Sequence, residues 1–231
     1  MKKYEIILFD LDGTLSDPKV GITTSVQYGL RKMGIDEEDL QKLECFIGPP
    51  LQVSFTEYYG FDERQCKQAI EFYRERFTKT GMYENELYDG IKWLLERLRV
   101  EGKKLVIATS KPTVFAVAIL KYFKIEGYFD LVVGSQLDGT RSAKAEIIQY
   151  ILEQYIDYNK ETFIMIGDRK HDIIGANLND IDSIGVTYGF GSSEELEKEN
   201  ATSPSWTTIS ISSENTRNQS TARSLMPSTT N

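Results

Sequence analysis

Five short runs of consecutive apolar residues punctuate the chain, each closed by a polar or glycine-bearing stretch: Ile6 to Phe9, Leu105 to Ala108, Leu131 to Val133, Phe163 to Ile166 and Ile184 to Thr187. Their β-branched content and abrupt polar endings predict buried strands. Between them the apolar period changes to that of a helix. Ile91, Leu94, Leu95 and Leu98 recur at i, i+3, i+4 and i+7, as do Ile148, Ile151, Leu152 and Tyr155. Strands alternating with helices imply right-handed crossovers and a parallel sheet covered on both faces, so the expected fold class is α/β. Ligands of such sheets bind beyond the carboxyl ends of the strands.

One interval breaks the alternation. From about Ser16 to Glu86 no strand is expected, only helical segments such as Asp62 to Thr80, where Cys66, Ile70, Tyr73 and Phe77 form the inward stripe. Gly48-Pro49-Pro50 turns the chain within it. A helical insert between the first and second strands cannot join the sheet and is placed to act as a lid. The expected organisation is therefore a core of residues 1–15 and 87–199 and a helical cap of residues 16–86. Residues 200–231 form a tail predicted to be disordered. From Ala201 to Asn231, 18 of 31 residues are Ser, Thr or Asn, too few apolar groups to offset ordering entropy.

Composition narrows the function. The net charge of −8 argues against a surface for nucleic-acid polymers. Two cysteines, Cys45 and Cys66, are too few for a disulfide scaffold and read as idle thiols. No apolar stretch is long enough for a membrane span, and the amino-terminal run lacks a signal-peptide pattern, so a cytoplasmic protein is expected.

Chemistry gathers where the strands end. The first runs into Asp10-Leu11-Asp12-Gly13-Thr14, two carboxylates two residues apart that repel unless a cation or a proton relieves them. Phosphoryl transfer would use both, one as nucleophile and metal ligand, the other as proton donor to the leaving oxygen. The second ends at Thr109-Ser110-Lys111-Pro112, where hydroxyls and free amides can hold a phosphate oxygen. Lys144 opens a helix, a place the helix dipole reserves for anions, and could neutralise an anionic substrate. The fourth strand ends at Gly167-Asp168-Arg169-Lys170-His171-Asp172, whose carboxylates are hard ligands suited to Mg²⁺. All of these positions face one crevice.

At these residues the chain resembles the haloacid dehalogenase-like hydrolase superfamily, over about residues 4 to 196. Ile47-Gly48-Pro49-Pro50-Leu51 and Leu137-Asp138-Gly139-Thr140-Arg141 are similar to segments of its phosphoglycolate phosphatase and 5′-nucleotidase-like branch. The resemblance implies a Rossmann-like core with the first strand central, and a helical type-one cap. It implies an aspartyl-phosphate on Asp10, with Asp12 as general acid and then base. Gly13, Thr109, Ser110 and Lys144 would serve the phosphate. Asp10, Asp168, Asp172 and the Asp12 backbone carbonyl would surround Mg²⁺. The expected reaction is hydrolysis of a small phosphorylated metabolite. A sugar phosphomutase of the same superfamily and a receiver-like phospho-switch are the alternatives.

Overall fold

The computed structural model describes residues 4–199; the tail expected at 200–231 lies outside them. Strands β1 (Ile6–Phe9), β4 (Lys104–Pro112), β5 (Leu131–Ser135), β6 (Phe163–Gly167) and β7 (Asp182–Gly185) form one sheet in the order β5-β4-β1-β6-β7. Every pairing in it is parallel, with β1 central between β4 and β6. Because side chains alternate along a strand, Ile6 and Leu8 enter one buried cluster and Ile7 and Phe9 the other. A strand buried on both faces must be apolar throughout, which is why β1 reads as an unbroken run.

Helices α4 (Ile91–Val100) and α5 (Thr113–Phe123) contribute to the cluster on the Ile7 face, and α6 (Lys144–Gln154) and α7 (Lys170–Leu178) to that on the Ile6 face. A last helix, α8 (Ser193–Glu199), buries Leu196. The expected fold class is the one observed.

β5 and β6 run on past their expected ends, to Ser135 and Gly167, and two strands differ more. β4 continues four residues past Ala108 through a shift in register, because polar side chains at a half-buried strand end carry no hydrophobic signal. β7 begins two residues earlier than Ile184, since Asp182 and Ser183 are half-exposed edge positions, and it ends at Gly185, two residues short of the expected Thr187. The interval from Ser16 to Glu86 also holds a little strand: β2 (Ser16–Asp17) pairs antiparallel with β3 (Glu86–Leu87). This two-residue ribbon is where the chain leaves the sheet and returns to it.

Between those crossings lie α1 (Lys19–Lys32), a 3₁₀ stretch at Leu40–Phe46, α2 (Leu51–Tyr59) and α3 (Glu63–Phe77). α3 starts where its sequence dictates. Asp62 Oδ1 accepts from the Gln65 amide at 2.8 Å and Gln65 Oε1 accepts from the Asp62 amide at 3.0 Å, a reciprocal cap. Cys66, Ala69, Tyr73 and Phe77 are its buried face, whereas Ile70 is only half-buried. Phe46, Phe55 and Phe61 pack ring against ring beneath α2. Of the cysteines, Cys66 is buried and Cys45 half-buried, and both are free thiols. Among the described residues no helix is long and apolar enough to cross a membrane.

Candidate active site

The carboxyl ends of β1, β4 and β6 bring together groups from four distant parts of the chain. Asp10 and Asp12 follow β1, Thr109, Ser110 and Lys111 close β4, Lys144 opens α6, and Asp168 and Asp172 flank the start of α7. All but Ser110 are almost wholly buried. Lys144 Nζ stands at the centre. It donates to Asp10 Oδ1 at 2.8 Å and to the Ala108 carbonyl at 2.7 Å, and lies 2.8 Å from Asp172 Oδ1. A lysine at a helix start opposes the helix dipole, but here the two carboxylates outweigh it. Burial pulls its pKa down, yet Asp10 and Asp172 more than compensate and leave it raised.

Asp168 is held from two sides, by Thr14 Oγ1 at 3.2 Å and by the Phe190 amide at 2.8 Å. Asp172 accepts from the Arg169 amide at 3.1 Å, so the start of α7 is capped by its own third residue. Asp10, Asp168 and Asp172 each offer a carboxylate oxygen within 4.8 Å of the other two. The side chain of Asp12 is not among them. Its Oδ2 pairs instead with Lys111 Nζ at 2.9 Å, while its Oδ1 has no hydrogen-bond partner.

Electrostatics show what this cluster lacks. Four buried carboxyl groups share two ammonium groups. Burial, then Asp10 and Asp172, push Asp168 up to about 8. Burial raises Asp172 to about 6, with Lys144 opposing and Asp10 adding. Asp12 is raised chiefly by burial, against the pull of Lys111. Carboxyl groups that keep their protons this far above the usual value are short of positive charge. A donor set of hard oxygens with a charge deficit fits a hard divalent cation.

The remaining expected residues fall as follows. Thr109 is buried, with its Oγ1 accepting from the Lys111 amide at 3.3 Å. Ser110 is half-buried on the crevice wall, and its carbonyl accepts from Ser135 Oγ at 2.8 Å. Gly13 has φ +83°, and a side chain there would collide with the Asp168 carboxylate; its amide donates to the Ser16 carbonyl at 2.8 Å. Sequence reasoning gave no individual role to Lys111, although the residue stood inside the quoted motif. It left the role of Arg169, in the same motif as Asp168, open, and it overlooked Arg74. Arg74 Nη2 on α3 donates to the Leu137 carbonyl at 2.9 Å, and Arg169 Nη1 to the Ile47 carbonyl at 2.6 Å. An arginine in the sequence carries no signal of a main-chain partner more than sixty residues away.

Above Asp12 opens a crevice of about 430 Å³ between the helical segment and the strand ends. Phe46, Ile70, Phe77 and Phe115 supply apolar wall, and Lys67, Arg74, Lys111, Glu63, Glu71 and Asp138 line the crevice with charge.

The same arrangement is known elsewhere. Residues 7–186 match the haloacid dehalogenase-like hydrolase family. A 5′-nucleotidase of Pseudomonas aeruginosa is 53% identical over 194 residues, covering 84% of this chain and 87% of its own. The tyrosine-protein kinase PtkA of Mycobacterium tuberculosis is 34% identical over 198 residues, 86% of this chain and 67% of that one. The solved structure of a predicted phosphatase from Clostridium acetobutylicum superposes with a TM-score of 0.86 at 51% identity, covering 90% of this chain and 95% of that one. The chain therefore belongs to the haloacid dehalogenase-like hydrolase family. The relatives above half identity carry nucleotidase and phosphatase names, and the chain is an enzyme of that class, a phosphoric monoester hydrolase.

Proposed function

We propose that this enzyme is a Mg²⁺-dependent phosphatase that hydrolyses a small phosphomonoester through an aspartyl-phosphate on Asp10. The observation that carries the reading is the convergence of Asp10, Lys144, Asp168 and Asp172 beside the separately paired Asp12. Asp10, Asp168, Asp172 and the Asp12 backbone carbonyl would hold Mg²⁺, which supplies charge stabilisation to the transferring phosphoryl group. Asp10 attacks phosphorus while the ester P–O bond breaks, and Asp12 gives its proton to the departing oxygen. Asp12 then takes a proton from water, the water oxygen attacks phosphorus, and Asp10 is released with inorganic phosphate. Burial that raises the pKa of Asp12 supports its first role. Gly13, Thr109 and Ser110 line the phosphate's place, and Lys144 fixes the charge of Asp10. Residues 16–86 act as lid over a core of 1–15 and 87–199, in the cytoplasm.

Metal dependence has a pH signature. A raised Asp168 favours the folded state while protonated. That contribution is full below the unfolded value of about 3.9 and is lost as pH rises through about 8. Metal-free protein is therefore expected to melt at lower temperature at pH 8 than at pH 5.5, and Mg²⁺ to raise Tm more at pH 8. EDTA should silence turnover and Mg²⁺ restore it. A melting temperature indifferent to Mg²⁺ at both pH values counts against the site.

The crevice favours a nucleoside-sized leaving group over glycolate. Ligand pockets run from roughly 300 to 1,000 Å³ and bury most of their ligand. Glycolate would leave most of 430 Å³ empty. With Mg²⁺ present, kcat/KM for uridine 5′-monophosphate is expected to exceed that for phosphoglycolate by about tenfold or more, the worth of a few buried methylene equivalents. The reverse order, measured by phosphate release, refutes the substrate class.

A further inference from the structure

The two lysines beside Asp10 and Asp12 are not equivalent. Lys144 Nζ is surrounded by Asp10 Oδ1, the Ala108 carbonyl and Asp172 Oδ1, all within 2.8 Å. Two of its three donors are taken by Asp10 and the Ala108 carbonyl, while Asp172 Oδ1 lies at ion-pair distance without a hydrogen bond. Lys111 is placed differently. Its side chain is 6% exposed, yet it lines the crevice. Its Nζ lies 2.9 Å from Asp12 Oδ2 and 4.6 Å from the centre of the Phe77 ring on α3. Among the described residues no further acceptor meets it, so donors remain.

Its neighbour has spare capacity too. Asp12 Oδ1 is buried without a hydrogen-bond partner. A free acceptor and an ammonium with free donors thus stand side by side at the floor of the crevice. Buried polar atoms are rarely left unpaired without a ligand or water to meet them. The backbone holds this pair in place. The Lys111 amide donates to Thr109 Oγ1, and its carbonyl packs so closely on Gly134 of β5 that no side chain could stand there. The Phe77 face, contributed by the helical segment, adds a cation–π contact on the far side.

We propose that Lys111 is the ammonium group that meets the departing alcohol. It donates to an oxygen of the departing alcohol's skeleton, such as a ribose ring oxygen, while Asp12 beside it serves the ester oxygen. The assignment rests on the phosphatase reading, since the position of Asp12 defines the leaving-group side. It makes Lys111 a specificity residue that selects alcohols carrying an oxygen close to the ester. Lys144 is left as the fixed counter-charge of Asp10.

The test compares uridine 5′-monophosphate with p-nitrophenyl phosphate, whose leaving group has no oxygen near the ester. Lys111→Met is expected to lower kcat/KM for both, because Asp12 loses its partner. The loss for the nucleotide should exceed the other by roughly tenfold or more, the worth of a hydrogen bond from a charged donor, with the excess in KM. Equal losses would reduce Lys111 to a support for Asp12 and overturn the proposal, as would no loss at all. If Lys111→Met does not fold, Lys111→Gln carries the same comparison. Calorimetry of uridine 5′-monophosphate on Asp10→Asn and on Asp10→Asn/Lys111→Met gives a readout without turnover. A dissociation constant roughly tenfold weaker in the double variant is expected, and an unchanged one is fatal. Wild-type enzyme that hydrolysed neither ester would remove the phosphatase reading, while the calorimetric comparison would still decide on Lys111.

Discussion

Asp10→Asn is expected to lower kcat on the order of 10⁴-fold or more, the scale seen when the nucleophile of a covalent enzyme is removed. The amide has the shape of the carboxylate but cannot attack phosphorus or form the acyl phosphate. Folding should survive, because Lys144 keeps the Ala108 carbonyl and Asp172 as partners. Phosphate release, intact-protein mass after brief exposure to substrate, and circular dichroism together check the point. Near-normal turnover by folded protein would discard Asp10 as nucleophile.

Lys144→Met should be the most damaging single change to stability. The side chain is buried and adjoins Asp10 and Asp172. Removing one partner of a buried ion pair costs about 3–5 kcal/mol, because the other charge is left uncompensated. For a chain of this length that is a fall in Tm of about 10 °C. The deficit should shrink at acid pH, where the carboxyl groups take up protons, and on adding Mg²⁺, which supplies the missing charge. A variant that melts with the wild type in metal-free buffer at pH 8 would show that Lys144 is not the counter-charge the geometry makes it.

Much of this arrangement was legible in the sequence, for identifiable reasons. A parallel strand buried on both faces must be apolar throughout, so β1 and the hydrophobic centres of β4, β5 and β6 announce themselves as runs. The acidic residues are legible because they stop those runs abruptly. Strand ends built from polar residues are not: β4 reaches Pro112 and β7 begins at Asp182 because main-chain pairing, invisible to hydropathy, extends them. Which groups partner which is also hidden. Asp10 and Asp12 share one motif, yet Asp10 faces Lys144 and Asp12 faces Lys111, because the chain leaves the extended strand after Phe9 and turns between them. Lys111 was passed over for the same reason, since a lysine next to a Ser and a Pro has no distinctive pattern of its own.

The two arginine ties across the crevice have a consequence for how this enzyme and its kin can diverge. Arg169 holds the main-chain oxygen of Ile47, and Arg74 that of Leu137. Every residue type presents such an oxygen, so the exposed position 137 is free to drift while the tie persists, whereas Ile47 is also held by its burial in the core. The arginines have no such latitude, because a shorter or uncharged side chain cannot span the gap. Members of this lineage can therefore remodel the rim that greets a new metabolite without loosening the roof above it.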